Sequence, residues 1–195
     1  MIDFEKLKID GESYKIFKEN CFQFYTQELS PNEYVDKCYK KISSLKLNNR
    51  AIKGKIFKLI IISLLMKEDI SPIYIQANVS FVPNVVYDLV LYSENNYPVS
   101  LSLKISFKGK YKLADLEAVA LKYVHRRAES YLITMDDVEA KSVSNKIKTG
   151  SIMGLNDVLV ANSSEFNDFI FKIKEMKFIK PGKIDIISSE KIIEL

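Results

Sequence analysis

The stretch from residue 98 to residue 129 constrains the fold most, because it changes from strand periodicity to helical periodicity and carries a carboxylate within an apolar stripe. Its first part alternates as a half-buried strand does, with one face formed by Leu101, Leu103, Ile105 and Phe107. Its second part has helical spacing, and one stripe of that helix is formed by Leu113, Glu117, Ala120 and Val124. The helical neighbours of Glu117 are apolar, so no local base can pair with it. A cation from elsewhere in the fold is therefore expected to meet Glu117.

A second carboxylate, Asp88, lies within the nearly continuous apolar run 85–91, which is typical of a strand buried on both faces. An ionised carboxylate in such a strand must be paired or bound to a metal. Residues 94–98 predict the loop of an antiparallel hairpin, which sets this strand beside the strand of Lys104. Asp88, Lys104 and Glu117 are then expected to converge from three consecutive elements. Two carboxylates with water and a phosphate oxygen suit a magnesium site, while a buried salt bridge between Lys104 and Asp88 or Glu117 is the alternative interpretation.

The order of the predicted elements favours an α/β fold in which helices flank a mixed central sheet. Helical patterns occupy most of the first 67 residues, and the one from about residue 51 to residue 67 is apolar nearly all round, so it should be buried. The predicted strands are 73–79, 84–92, 99–107, 130–134, 157–161 and 184–187. Helices are predicted after the third, fourth and fifth strands. We expect one domain over residues 1–195, with a helical N-terminal extension over residues 1–46.

The positive charge of the chain is concentrated in residues 98–129. That stretch holds seven bases against three acids, an excess equal to the formal net charge of +4 of all 195 residues. A local basic patch on a neutral body indicates a polyanionic partner, although a solvated charged face is the commoner cause of such a run.

The two cysteines, Cys21 and Cys38, fall in predicted helices and indicate reduced thiols that fill core space. The first residues show no secretory signal, and the longest apolar run, residues 59–66, is too short to cross a bilayer. These patterns predict a cytoplasmic protein with no membrane partner.

Asp88, the run Ser102-Leu103-Lys104 and Glu117 together resemble the signature of the PD-(D/E)XK nucleases. They are most similar to the type II restriction endonucleases in which the acid of (D/E)XK has become Ser or Thr. In that group the helix after the lysine supplies the missing glutamate. Here twelve residues separate Lys104 from Glu117, and Ser102 stands in the vacated position. The stretch 102–127 also resembles the part of those enzymes in which the SxK strand leads through an Arg-Glu-Arg turn into a helix.

The resemblance implies a restriction-endonuclease-like core and Mg²⁺-dependent hydrolysis of double-stranded DNA at a short specific site. Asp88 and Glu117 would hold the ion together with the main-chain carbonyl of Leu103. Lys104 would orient the nucleophilic water and stabilise the charge that develops at phosphorus, and Ser102 is counted with the catalytic residues. The resemblance also implies a cognate methyltransferase that protects host DNA without needing to bind this chain. Because a two-fold symmetric DNA site suits a two-fold symmetric protein, we expect a homodimer, with the N-terminal helices as its candidate interface.

The predicted DNA-binding residues lie just after Lys104 and at the end of the following helix. They are Lys108, Gly109, Lys110, Tyr111, Lys112, Arg126 and Arg127. Lysines in the first group suit phosphates or major-groove edges, and glycine allows a close backbone approach. A basic surface loop is the alternative for the first group, and favourable interaction with the helix dipole is the alternative for the two arginines.

Three positions depart from the resemblance. Tyr87 replaces the usual proline before the aspartate, and Lys58 occupies the helix position where many relatives carry a supporting acid. Lys108-Gly109-Lys110 stands where close relatives have Arg-Glu-Arg, and this run lacks both the bidentate fork of arginine and an acceptor for cytosine. Lys58 and Gly109 motivate one rival hypothesis, a DNA-binding relative without catalytic activity. A structure-specific or repair nuclease on the same core is the other rival.

Overall fold

A computed structural model describes residue 7 and residues 11–45, 47–182 and 186–195. Contacts divide the chain into two compact units, one of Met1–Ile70 with Ala161–Glu175 and Leu195, the other of Ser71–Val160 with Met176–Glu194. The prediction of one nuclease domain with a helical extension over residues 1–46 stays a prediction. In the described ranges, no helix combines the length and the apolar character that a bilayer crossing requires.

The first unit is helical. Its helices are α1 (Gly11–Tyr25), α2 (Pro31–Ser44), α3 (Arg50–Lys67) and α6 (Ser164–Glu175). The prediction that the third helix is buried is confirmed, because every position from Ile56 to Met66 except Lys58 is buried. Cys21 and Cys38 are buried free thiols, as the sequence predicted.

The second unit contains the sheet and two helices. Its strands are β1 (Ile73–Val79), β2 (Tyr87–Ser93), β3 (Tyr97–Leu103), β4 (Glu129–Thr134), β5 (Asp157–Val160) and β6 (Ile187–Ile193), and its helices are α4 (Tyr111–Val124) and α5 (Asp137–Lys148). The strand order is β5-β4-β3-β2-β1-β6. Strands β3, β4 and β5 are parallel because α4 and α5 cross over between them, and the remaining pairs are antiparallel. The predicted mixed sheet flanked by helices is therefore confirmed.

Helix α4 packs on the sheet through small residues. Its buried positions are Ala114, Ala118 and Leu121, whereas Leu113 is 57% exposed. The predicted stripe is half-buried at Glu117, Ala120 and Val124, of which Ala120 and Val124 pack against a core cluster, whereas Leu113 lies outside the packed face. Glu117 lies beside the buried face and is half-buried.

Three strands have a boundary at least three residues from its predicted position. Strand β3 ends at Leu103 rather than at residue 107, and the chain turns into α4 at Lys108 and Gly109, which adopt positive φ angles of 35° and 83°. Strand β2 begins at Tyr87 rather than at residue 84, because Asn84 has a φ of 61° and belongs to a turn. The last strand is Ile187–Ile193 rather than 184–187, and residues 183–185 lie outside the described part of the chain.

Gly154 approaches helix α4 closely. A Cβ atom at this position would lie 2.7 Å from the Val119 nitrogen, 2.9 Å from the Ala118 Cβ and still closer to the Asp115 carbonyl oxygen. We expect Gly154→Ala to lower the free energy of unfolding by about 1–3 kcal/mol, measured by urea denaturation. Gly54→Ala is the control, because no atom lies within 4 Å of its added Cβ and Ala favours a helix interior by roughly 0.5–1 kcal/mol. A neutral Gly154→Ala would contradict the close approach.

Candidate active site

Asp88 occupies the point at which strands β2 and β3 separate. Their last paired residues are Leu89 and Leu101, and one further step of this register would set Asp88 opposite Ser102. The next main-chain donor of β3, the Leu103 N–H, instead donates to Oδ2 of Asp88 at 2.8 Å. The Asp88 carboxylate, 9% exposed, thus replaces a ladder hydrogen bond at the end of the hairpin.

Lys104 reaches the same carboxylate oxygen. Its Nζ lies 2.9 Å from Oδ2 of Asp88, so the structure brings together the two residues that the hairpin predicted to meet. The main chain of Lys104 is fixed on its other side, because its N–H donates to the Ile133 carbonyl of β4 at 3.0 Å. Its side chain is 35% exposed. The ammonium is therefore anchored at one point and still accessible to solvent or a ligand.

Glu117 lies within electrostatic reach of this pair. Burial raises the pKa of the Glu117 carboxyl, and the Asp88 carboxylate raises it further, while the Lys104 ammonium lowers it. The net direction is upward because burial outweighs the Lys104 ammonium, whose effect is in turn larger than that of the Asp88 carboxylate. The structure therefore places two carboxylates and one lysine in a common electrostatic environment.

Tyr87 connects the Asp88 strand to the Glu117 helix. Its hydroxyl donates to the main-chain carbonyl of Glu117 at 3.0 Å. Burial raises the pKa of the Tyr87 hydroxyl, and the Glu117 carboxylate adds to the shift, so Tyr87 stays a neutral donor. The sequence identified Tyr87 only as a departure from proline. Its position directly before Asp88 was the signal that it could anchor the neighbouring element.

Gln76 is the site residue that sequence reasoning missed. The β1–β2 register sets it opposite Asp88, and its Nε2 lies 3.5 Å from Oδ1 of Asp88. Its φ of 48° is in the left-handed region, which is unusual within a strand. No sequence signal marks it, since a half-exposed polar residue is ordinary in a strand.

The donor set fits a hard divalent cation. Oδ2 of Asp88 accepts from Leu103 and Lys104, and Oδ1 of Asp88 and the Glu117 carboxylate are the candidate anionic ligands. Mg²⁺ commonly uses one or two carboxylates and completes its shell with water and phosphate oxygens. Within the described ranges, no group of three or more Asp, Glu, His or Cys side chains is arranged for a metal. The Leu103 carbonyl stays a predicted ligand.

Ser102 lies in β3, paired with Leu132 of β4, and is half-buried. It stands next to Leu103 on the strand that carries the Asp88 contacts. Its catalytic role stays a prediction.

The predicted DNA-contacting loop is held at both ends while its lysines remain exposed. Before it, the Phe107 N–H donates to Oε2 of Glu139 in α5 at 2.8 Å. After it, Nζ of Lys146 donates to the Tyr111 hydroxyl at 2.6 Å and lies 4.4 Å from the centroid of the ring. Three positions between these contacts are exposed: Lys108, Gly109 and Lys110. Lys112, in the first turn of α4, is exposed as well.

The two predicted arginines lie beyond the opposite end of α4. Arg127 donates to the Asn95 carbonyl at 3.3 Å, and its guanidinium lies 5.1 Å from the centroid of the Tyr97 ring. Arg126 is exposed. The fourteen residues of α4 therefore divide the basic stretch into two patches about 20 Å apart along the helix.

Comparison with known proteins gave a structural likeness without a sequence relative. No protein-family profile and no curated protein sequence matches the chain. The fold is similar to the crystal structure of the Type IIP restriction endonuclease Kpn2I, with a TM-score of 0.55 and 14% sequence identity. The likeness covers 89% of this chain and 72% of that one. The chain therefore has the restriction-endonuclease-like fold that the sequence predicted.

Proposed function

We propose that this chain is a Mg²⁺-dependent type II restriction endonuclease of the subgroup with SxK and a glutamate on the following helix. It would hydrolyse phosphodiester bonds of double-stranded DNA at a short specific site. The observation that carries the proposal is the convergence of three charged side chains: Asp88 is paired with Lys104 at 2.9 Å, and Glu117 on α4 lies close enough for both charges to act on its carboxyl.

A structural salt bridge does not account for Glu117. Asp88 and Lys104 compensate each other at 2.9 Å, and Leu103 supplies a further hydrogen bond. A second half-buried carboxylate adds negative charge that this pair does not need, and burying such charge is costly unless a cation offsets it. Carboxyl groups with raised pKa values beside a lysine are typical of functional sites.

The proposed roles follow from the contacts of each side chain. A bound Mg²⁺ would polarise the phosphoryl oxygen and lower the pKa of water. Leu103 and Lys104 hold Oδ2 of Asp88, and Oδ1 would bind the ion. The accessible Lys104 ammonium has donors left to orient a water molecule and to stabilise negative charge at phosphorus. Glu117 supplies the second anionic ligand from α4.

The same proposal includes the DNA contacts and the assembly. The exposed lysines next to the site supply phosphate contacts, with Gly109 between them. A homodimer would place two such sites across a two-fold symmetric sequence, and a cognate methyltransferase would protect host DNA in the cytoplasm.

The rival is a structure-specific nuclease or a DNA-binding relative without activity. The observation that favours it is the loop sequence, because Lys108 and Lys110 lack the planar fork of arginine and Gly109 has no side chain. Cleavage of branched DNA without sequence preference would identify the former. Binding of duplex DNA without cleavage would identify the latter.

The first prediction concerns cleavage. Wild-type protein with Mg²⁺ should cut plasmid DNA into discrete fragments, which gel electrophoresis and end sequencing would detect. Lys104→Ala should lower the single-turnover rate by roughly 10²–10³-fold, because it removes a preorganised charge at the reacting phosphate. Glu117→Ala should lower it at least as much.

The control is Lys141→Ala, which removes an exposed lysine that pairs with Asp137 in α5. Its rate should equal that of the wild type. Full activity of Lys104→Ala would rule out the proposed mechanism, and smeared rather than discrete products would favour the structure-specific rival.

The second prediction concerns the stability of the cation-free protein. Since burial raises the pKa of Glu117, the folded chain keeps this proton to higher pH than the unfolded chain does. Between the two pKa values the folded state binds more protons, so stability falls as pH rises through that interval. Glu117→Gln should remove this slope and increase the free energy of unfolding at neutral pH.

Urea denaturation across a pH series without divalent cations measures this effect. Glu19→Gln, an exposed position of α1, is the matched control and should leave the slope unchanged. A destabilised Glu117→Gln variant would instead show that Glu117 serves as a structural partner of Lys104.

The third prediction concerns the basic loop. Replacing Lys108 and Lys110 together by Ala should weaken DNA binding and reduce the salt dependence of affinity, by about 0.9 in the logarithmic slope for each phosphate that the protein no longer neutralises. Fluorescence anisotropy with a labelled duplex at several salt concentrations measures both effects. The control replaces Lys177 and Lys180, two exposed lysines elsewhere in the chain, by Ala and so removes the same charge. An equal loss of DNA affinity in this control would show that only net charge matters.

A further inference from the structure

Gln76 combines an unusual backbone conformation with a contact to the proposed cation site. It lies in the middle of β1, and its φ of 48° is a backbone angle that residues other than glycine rarely adopt. Strain of this kind persists where the surrounding structure requires it and is frequent at functional sites. The question is which requirement holds Gln76 in place.

One requirement is structural. In a regular strand, residues on one face are separated by even numbers of positions. The buried cluster that includes Leu121 of α4 instead contains Tyr74 and Ala77 from β1, and Tyr87 and Val90 from β2. The two residues from each strand are three positions apart, so each strand changes which side faces this cluster between them. Gln76 lies within that interval in β1, and Asp88 lies within it in β2. The backbone of Gln76 therefore participates in a shift that leaves Tyr87 to contact α4 and Asp88 to contact β3.

A glycine would satisfy that backbone requirement with less strain, so the amide side chain needs its own explanation. Its Nε2 lies 3.5 Å from Oδ1 of Asp88, the oxygen that Leu103 and Lys104 do not use. A carboxylate with one oxygen fixed can still turn about that contact. A donor at the other oxygen restricts this rotation.

We propose that Gln76 is a positioning residue of the cation site, whose amide orients Oδ1 of Asp88 for a divalent cation. The inference rests on the proposed function and extends it to a residue that orients a ligand of the ion rather than binding the ion itself. Partners of metal-binding carboxylates typically contribute 10- to 100-fold to metal affinity. Gln76 thus has a strained backbone where glycine would be relaxed, and its side chain makes a contact that glycine could not make.

The test uses Mg²⁺ titrated into the full-length, DNA-free protein by isothermal titration calorimetry, with urea denaturation alongside. Gln76→Gly accepts the positive φ and removes the amide. We expect it to weaken Mg²⁺ binding about 10- to 100-fold while the protein is at least as stable as the wild type. Gln76→Met keeps the side-chain length and the strained φ but lacks the donor, and it should lose the same affinity without the gain in stability.

Gln76→Glu separates positioning from direct ligation, because it replaces the donor with an acceptor. Weaker Mg²⁺ binding by this variant supports positioning, whereas binding equal to or tighter than that of the wild type overturns it. Unchanged affinity in both Gln76→Gly and Gln76→Met would also overturn the inference.

The outcome is distinct from that of the proposed function. A wild-type protein that binds Mg²⁺ but cuts no DNA would contradict the nuclease, and the Gln76 variants would still report on the cation site. A wild-type protein with no affinity for Mg²⁺ would contradict both. Where the wild type does cut DNA, Gln76→Gly should need a higher Mg²⁺ concentration for half-maximal rate with little change in affinity for duplex DNA.

Discussion

The structure of the site depends on one carboxylate oxygen. Oδ2 of Asp88 accepts a hydrogen bond from the Leu103 N–H and from the Lys104 ammonium, at the position where strands β2 and β3 stop pairing. A buried charge at this point is tolerable because a main-chain donor and a cation both meet it. The same two contacts fix the end of β3 and the start of the segment that leads to α4. The geometry of the lysine, the loop and the helix therefore all follow from where Asp88 lies.

Glu117 is the charged residue that the ion pair of Asp88 and Lys104 does not explain. An ion pair alone is a common structural device, and a neutral residue on α4 would pack beside it at lower cost. The carboxylate instead remains in a half-buried position where burial opposes its ionisation more than Lys104 favours it. Under the proposed function, a bound cation would offset this unfavourable carboxylate and so stabilise the site. Tyr87 keeps α4 at the necessary distance by holding the main chain of Glu117 rather than its carboxylate.

The sequence predicted the charged residues of the proposed site and the hairpin of β2 and β3. Asp88 and Glu117 were visible because each interrupts an apolar pattern, and the hairpin placed Lys104 beside Asp88. The face of α4 was not predictable in detail, because Ala114 and Ala118 contribute little to an apolar pattern yet form the contact. Gln76 was invisible for a different reason: its importance lies in a backbone angle and in the register of β1 against β2, and neither is encoded by the polarity of a single residue. Residues that act through conformation are missed by patterns of composition.

The segment that follows β3 links the proposed chemistry to the proposed DNA contact. Lys104 is anchored to Asp88, and three positions later the Phe107 N–H is anchored to Glu139 of α5. The exposed lysines at positions 108 and 110 begin immediately after the second anchor, so little free chain separates them from the reactive ammonium. A phosphate held by this loop would therefore have a nearly fixed relation to Lys104. Under the proposed function, the distance between the DNA contact and the point of cleavage is set by two side-chain carboxylates, one on the sheet and one on α5, rather than by the flexibility of a loop.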